Sequence, residues 1–368
     1  MKIIDHINDK KNTSQFTFEI LPPLKGQNLE SIFDAIDPLM EFKPPFIDVT
    51  YHREEYVYKE LDNGLLQKHV IRKRPGTVGI CAALQNKYNV DAVPHVLCGG
   101  FSKEDTENLL IDLDFLGIEN VVALRGDSLK SEVYFKPSVD GNSFASDLVK
   151  QIDDLNNGKY LDEEIQNNAK TNFCIGVSGY PEKHIEAPSF DSDIHFLKKK
   201  IDAGAHYIVT QMFFDNQKFF DFQKKCLENK INVPIIPGLK PISTKKQLNV
   251  LPQRFYVDLP DDLIKSVIKC KNNDQIRQVG IEWCIEQSKE LKKAGVNSGR
   301  FVVNTTVGVL GLFDVATKII PFFHKELNND TAYIATPAQV ATAYQAGYQK
   351  VDVGIVGMCA LEMFAGGD

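Results

Sequence analysis

The sequence predicts one large (β/α)8 barrel with an atypical C-terminal extension, and three observations carry that fold class. Short β-branched or aromatic runs alternate with longer amphipathic runs, the pattern of parallel strands joined by helical crossovers. No strand is followed by a GxGxxG turn, so the dinucleotide fingerprint of a doubly wound sheet is missing. The unusual polar residues Glu19, Thr50, His95, Arg125, Asp127, Tyr180 and Gln211 fall at the carboxyl ends of many different strands. A barrel assembles its active site from those ends, whereas a doubly wound sheet gathers such residues at one crevice.

In chain order, the candidate strands are residues 16–20, 46–50, 93–98, 120–124, 173–178, 206–211, 233–237 and 300–304. Amphipathic stretches at 29–41, 103–116, 191–203 and 216–228 lie between them. Ser102 before Lys103-Glu104-Asp105, and Asp191 before the run into Leu197, are expected helix N-caps. Residues 156–171 are polar and Asn-rich and read as a solvated connection. The most apolar stretch, 301–323, is broken by Asn304, Thr305, Thr306, Asp314 and Lys318, and reads as a strand followed by a buried helix, not a membrane span. Thr336-Pro337 has the chemistry of a helix start. The expected division is a catalytic barrel over 1–320 and an extension of unknown role over 321–368.

Composition narrows the function. The chain has 368 residues, 43% hydrophobic and 25% charged, the balance of a globular protein with a sizeable core. A net charge of −7 argues against nucleic acid as the main partner. The first fifteen residues are polar and charged and lack the apolar core of a signal peptide, so the expected compartment is the cytoplasm, with no membrane association. The seven cysteines are scattered, without a CxxC pair, which speaks against a disulfide framework or a structural zinc site, and no metal-ligand constellation is found elsewhere.

Several residues are suited to chemistry. Glu19 ends an apolar strand stopped by Pro22-Pro23; desolvation there would raise its pKa toward that of a general acid, although a charge simply leaving the sheet has the same pattern. Arg125-Gly126-Asp127 follows an apolar strand, with a glycine that admits close backbone approach and a carboxylate that accepts hydrogen bonds from a heterocycle; a structural Arg–Asp turn is the alternative. His95 is either a satisfied core imidazole or a site residue. Lys198-Lys199-Lys200 is either a solvated helix face or a clamp on a cofactor phosphate. Gln211 offers an amide beside aromatics. No nucleophile elbow is present. Acid catalysis and flat-heterocycle binding suit a bound redox cofactor better than a hydrolase.

Taken in order, Phe16-Thr17-Phe18-Glu19-Ile20-Leu21-Pro22-Pro23, Phe46-Ile47-Asp48-Val49-Thr50-Tyr51, Val93-Pro94-His95, Ala123-Leu124-Arg125-Gly126-Asp127, Gly179-Tyr180-Pro181-Glu182, Thr210-Gln211-Met212-Phe213-Phe214-Asp215 and Ile235-Ile236-Pro237-Gly238 closely resemble methylenetetrahydrofolate reductases of the single-domain bacterial kind, over about residues 2–295. The resemblance implies a TIM barrel holding FAD, an oxidoreductase of one-carbon metabolism and methionine biosynthesis, and reduction of 5,10-methylenetetrahydrofolate to 5-methyltetrahydrofolate by NAD(P)H. Which nicotinamide serves as donor stays open, and a homo-oligomer is expected.

Carried over by position, Glu19 and Asp127 are the catalytic carboxylates. Gln211 joins them at the folate. Thr50, Tyr51, His95, Leu124, Arg125, Gly126, Asp127, Phe144, Ala145, Tyr180, His184, Asp193, Lys199 and Lys200 fall on flavin-contacting positions.

The chain also departs from the family pattern. His52-Arg53 replaces small residues after Tyr51, and Phe196 stands where the family has an Asn. Past Gly295 the family's closing strand is replaced, and Arg300 to Lys318 is similar to a segment of the lipoproteins that maintain outer-membrane lipid asymmetry. The alternative reading is therefore a catalytically impaired barrel with a foreign, membrane-lipoprotein-like tail. If residues 300–304 supply the eighth strand, the barrel closes, while the family's folate-tail contacts there are lost and folate affinity suffers more than flavin binding.

Overall fold

Alternation at a period of two sets the architecture. In the first barrel strand Phe16, Phe18 and Ile20 belong to the large apolar cluster under the helices, so Gln15, Thr17 and Glu19 take the opposite, inner face, and all six residues are buried. The computed structural model describes residues 1–9, 15–129, 132, 134–166, 168–294 and 302–307. The expected division at residue 320, the helix start at Thr336-Pro337 and the helix after residue 307 lie outside the described residues.

The elements run α1 (Ile3–Asp9), β1 (Gln15–Ile20), α2 (Glu30–Ile36), a 3-10 turn (Asp37–Phe42), β2 (Phe46–Val49), β3 (Glu55–Glu60), β4 (Leu66–Ile71), α3 (Thr77–Tyr88), β5 (Asp91–Leu97), α4 (Lys103–Phe115), β6 (Asn120–Leu124), α5 (Ala145–Asn156), β7 (Cys174–Gly179), α6 (Phe190–Asp202), β8 (Tyr207–Met212), α7 (Asn216–Glu228), β9 (Ile235–Leu239), α8 (Gln247–Phe255), α9 (Asp261–Lys269), α10 (Asn273–Lys293) and β10 (Val302–Val307). Eight strands close a parallel barrel in the order β1-β10-β9-β8-β7-β6-β5-β2. The expected barrel is therefore the observed one, and the expected strand at 300–304 is placed at Val302–Val307. It pairs with β1 from Gln15↔Val302 to Ile20↔Val307 and with β9 at Asn304↔Gly238.

Helix entry follows local chemistry. Ser102 Oγ accepts from the Asp105 amide at 3.0 Å while the Asp105 carboxylate accepts from the Ser102 amide at 3.0 Å, a capping box of about 1 kcal/mol. The cap expected at Asp191 lies instead at Ser189, whose Oγ accepts from the Ser192 amide at 3.1 Å, and Asp191 sits in the first turn. The amphipathic stretch 29–41 divides at Pro38, which cannot continue an α-helical hydrogen-bond ladder.

Two features outside the barrel were not anticipated. Helix α1 carries Ile3 and Ile7 into one apolar cluster with Phe46, Val93, Val122, Cys174, Tyr207 and Ile236, and its Ile3 amide donates to Asn120 Oδ1 at 2.9 Å. Asn120 opens β6, so this contact plugs the amino-terminal end of the barrel. Above it, a Cβ at Gly176 would stand 2.4 Å from Tyr207 Cζ, so the tyrosine ring occupies the space that a side chain on β7 would fill. The second feature is the antiparallel hairpin β3–β4, inserted between β2 and α3 and turning at Asn63-Gly64, where Gly64 takes φ +77°. The outward residues Tyr58, Leu66 and Val70 leave it exposed.

Candidate active site

The carboxyl ends of β6, β7 and β8 converge on one cavity of about 290 Å³. Its wall begins where β6 runs out. Leu124 is followed by Arg125, by Gly126 at φ +84° and by Asp127. A Cβ at Gly126 would stand 3.4 Å from Leu97, in a backbone conformation that side chains rarely adopt, so glycine lets the main chain itself form the wall. Phe144 and Ala145 at the start of α5 close one side. Tyr180 and His184 come from the loop after β7, Asp193 and Lys200 from α6, and Gln211 from β8.

The electrostatics of this wall are interlocked. Arg125 grips Glu186 with both terminal guanidinium nitrogens, Nη1 at 2.5 Å and Nη2 at 2.8 Å, and this pairing holds the Glu186 carboxyl below its ordinary value. Arg125 also lies 4.9 Å above the Phe135 ring. Burial, helped by the neighbouring Arg125, pushes His184 down to about 4, so its ring is neutral near pH 7. The His184 amide donates to Asp193 at 2.9 Å, and burial raises the Asp193 carboxyl. Lys200 donates to the Ser178 carbonyl at 2.5 Å; burial lowers its pKa to about 8 although Asp193 opposes the shift. Tyr180 packs edge-on against His184 at 4.7 Å.

Across the barrel mouth, Glu19 is 0% exposed and accepts a hydrogen bond from Thr50 Oγ1 at 2.7 Å. Pairing of Ile20 with Val49 brings these two strand ends together, and the Thr50 amide continues the ladder to the Ile20 carbonyl at 3.0 Å. Gln211 is held by its own neighbour: the Met212 amide donates to Gln211 Oε1 at 3.0 Å, which fixes the plane of the amide. The β8 register shifts between Val209 and Met212, and a Cβ at Gly238 on β9 would stand 2.3 Å from the Thr210 carbonyl, so this bulge requires glycine opposite it.

Of the residues expected from sequence, Leu124, Arg125, Gly126, Asp127, Phe144, Ala145, Tyr180, His184, Asp193, Lys200 and Gln211 line the cavity. Glu19, Thr50, Tyr51 and His95 do not line it. His95 is 1% exposed, and burial pushes its pKa to about 3, which leaves a neutral imidazole inside the barrel. Lys199 is also outside: it projects to solvent with Nζ 5.1 Å from the Phe196 ring, while Lys198 pairs with Asp202. Only the last lysine of the run reaches the cavity.

Phe196, an apparent departure, is part of the lining, as are Ser146, Ser178, Glu186 and Ala187. For Phe196 the signal was helical phase, since Asp193, Phe196 and Lys200 recur at three- and four-residue spacing on α6. Glu182, in the same loop as Tyr180, is another residue whose weight sequence did not reveal. Burial raises its carboxyl to about 7, and it accepts from the Asp258 amide at 2.6 Å.

Comparison with known proteins gives this geometry a family. The family model for methylenetetrahydrofolate reductase matches residues 2–305 and ends within the strand closing the barrel. A second model, MlaA lipoprotein, matches residues 284–333 and overlaps α10 and β10. Methylenetetrahydrofolate reductase (NADH) 1 of Arabidopsis thaliana is 31% identical over 325 residues, covering 85% of this chain and 50% of that protein. The 5,10-methylenetetrahydrofolate reductase of Pectobacterium carotovorum is 30% identical over 286 residues, covering 77% of this chain and 84% of that one. This chain thus spans about half the length of the plant relative and most of the bacterial one.

Among solved structures, an uncharacterized protein from Clostridium thermocellum that binds two copies of 5-methyl-5,6,7,8-tetrahydrofolic acid has a TM-score of 0.54 at 15% identity, covering 89% of this chain and 99% of that one. That likeness is one of fold. On a match over residues 2–305, the chain belongs to the methylenetetrahydrofolate reductase family.

Proposed function

We propose that the chain reduces 5,10-methylenetetrahydrofolate to 5-methyltetrahydrofolate with FAD as cofactor and NAD(P)H as hydride donor. The observation that carries this reading is the buried Glu19–Thr50 pair at the mouth of a barrel whose opposite rim holds a cavity suited to a flavin. The residues present fit that cofactor. Gly126 makes room for a flat ring against the main chain, and Phe144 and Phe196, 56% and 46% exposed, offer aromatic faces. Lys200 supplies a cation among buried groups, suited to a phosphate. When bound, FAD supplies a two-electron carrier between the nicotinamide and the folate.

The protein's own part is acid catalysis and positioning. In the product the one-carbon unit stays on N5, so N10 must leave, and a leaving amine needs a proton. Glu19 gives that proton to N10, opening the ring to the N5 iminium that accepts hydride. Thr50 holds the carboxyl in place. Asp127 and Gln211 orient the pterin, Asp127 from beside the flavin site and Gln211 through its fixed amide. Leu124, Arg125, Gly126, Asp127, Phe144, Ala145, Tyr180, His184, Asp193 and Lys200 are retained as the flavin-contacting set along this cavity, and Thr50, Tyr51, His95 and Lys199, which do not line it, as contacts beyond its edge. A cytoplasmic homo-oligomer, and a catalytic barrel over 1–320 followed by a separate extension, belong to the same proposal.

An absorbance spectrum followed by anaerobic additions tests it. The expected result is a yellow protein that bleaches with NADH or NADPH and recovers its colour with methylenetetrahydrofolate. A colourless protein that takes up no FAD, or a flavin that folate never reoxidises, would refute the assignment.

A further inference from the structure

A second cavity, of about 450 Å³, opens on the opposite side of the β2 strand end, between the base of the β3–β4 hairpin and the start of α3. Tyr51, Arg72, Gly76, Thr77, Gly79 and Phe101 are among its lining residues. The twelve-residue helix α3 begins here with Gly76 as N-cap and no side-chain cap, so its first-turn amides have no intrahelical acceptor. Thr77 is 1% exposed, and its hydroxyl has no hydrogen-bond partner among the described residues. Arg72 has its Nε buried without a partner, and its Nη2 donates only to the uncharged Tyr51 hydroxyl, at 3.0 Å.

The neighbouring cations are accounted for. Lys73 pairs with Glu55 at 2.7 Å, Arg53 forks onto Glu132 at 3.1 and 3.3 Å, and Arg74 donates to the Pro22 carbonyl. Arg72 alone among these hairpin-base cations faces no carboxylate or carbonyl among the described residues. A Cβ at Gly76 would stand 3.0 Å from Arg72 Nη2, so the guanidinium lies against the N-terminus of the helix. Two positive ends in contact repel each other unless an anion sits between them. Guanidinium fork, buried hydroxyl and helix amides together present the donor set of an oxyanion site.

We infer that this cavity binds a phosphoryl group, held by Arg72, the Thr77 hydroxyl and the first-turn amides of α3. Its apolar walls at Tyr51 and Phe101, whose rings lie 5.2 Å apart, suit a phosphate carried on a flat organic moiety as well as the free ion. Two sources share that chemistry: a phosphate of the dinucleotide donor and inorganic phosphate. The first rests on the reductase reading; the second does not.

The test uses the full chain with its cofactor. Inorganic phosphate is titrated by calorimetry against a chloride control at matched ionic strength. Arg72→Gln and Thr77→Val should each weaken binding at least about tenfold, the effect of losing a charge-assisted or buried hydrogen bond. Gly79→Glu separates site from fold. A side chain there meets nothing within 4 Å, and a carboxylate in the first turn favours the helix while repelling phosphate. This variant should keep its melting temperature and lose phosphate binding. KM values for NADPH and NADH then assign the source: a severalfold rise in the Arg72 and Thr77 variants points to the donor, and unmoved values point to the free ion. No phosphate heat beyond chloride, or binding unchanged in all three variants, would overturn the inference. A chain that binds phosphate here but never turns over folate would overturn the proposed function and leave this site standing.

Discussion

Thr50 Oγ1 lies 2.7 Å from Glu19 Oε1, and both side chains are fully buried, Glu19 on β1 and Thr50 just past the end of its paired strand β2. The threonine hydroxyl thus fixes the orientation of that carboxyl oxygen inside the barrel. Glu19→Gln keeps the shape of this contact and removes the proton donor. Folate reduction is expected to fall by about 10²–10⁴-fold, the range of a lost general acid, while reduction of the flavin by NADH changes little. Anaerobic stopped-flow of the two half-reactions reads both, and a parallel fall in both would remove Glu19 from acid catalysis.

Thr50→Val tests positioning apart from chemistry. Loss of the hydrogen bond that orients the Glu19 carboxyl should slow the folate half-reaction by about tenfold while flavin reduction by NADH changes little. An unchanged folate half-reaction, or an equal fall in both half-reactions, would reduce Thr50 to a packing residue.

Asp127 follows Gly126 on the cavity wall. Asp127→Asn is expected to slow folate reduction and to shift the flavin's redox potential upward, since a negative charge beside the ring is removed. A potentiometric titration and the folate half-reaction measure the two effects. An unchanged folate rate excludes Asp127 from the site.

Lys200 is expected to hold a cofactor phosphate. Lys200→Met fills the same half-buried space without charge and should weaken FAD binding by about 10- to 100-fold, read from cofactor loss on dilution or dialysis. Lys199→Met, on the solvent side of the same helix turn, should weaken it much less. Equal effects would mean that the run acts through net charge and not through one cavity cation.

Glu182 makes stability pH-dependent. Its carboxyl is raised by burial from 4.5 to about 7, so the folded protein holds this proton more tightly than the unfolded chain. The stabilisation is complete below about pH 4.5 and is lost as pH rises toward 7. Glu182→Gln removes the titration and keeps an acceptor for the Asp258 amide. Its melting temperature relative to wild type should therefore be higher at pH 8 than at pH 5, by about 2–6 °C. A pH-independent difference would mean that Glu182 is ionised in the folded state across this range.

Much of the barrel was legible because a strand buried on both faces leaves a continuous apolar run, and polar residues interrupt it only where the sheet ends. Glu19, Asp127 and Gln211 stood out for that reason. The β3–β4 hairpin was missed although Asp62-Asn63-Gly64 is a hairpin-turn signal, because its flanking residues are largely exposed and lack a clean alternation. The lysine run was ambiguous because consecutive helical residues point about 100° apart, and composition carries no phase.

By itself the sequence determined the eight barrel strands in order, the family, and the polar residues that end the strands, since those follow from local periodicity and position along the chain. Tertiary structure decided the rest. Registry between β1 and β2 set Thr50 against Glu19, the rotation of α6 chose Lys200 and Phe196 over Lys199, and the return of the hairpin laid Arg72 against the start of α3. Each of these is a distance between residues far apart in the chain, fixed only when packing closes the barrel.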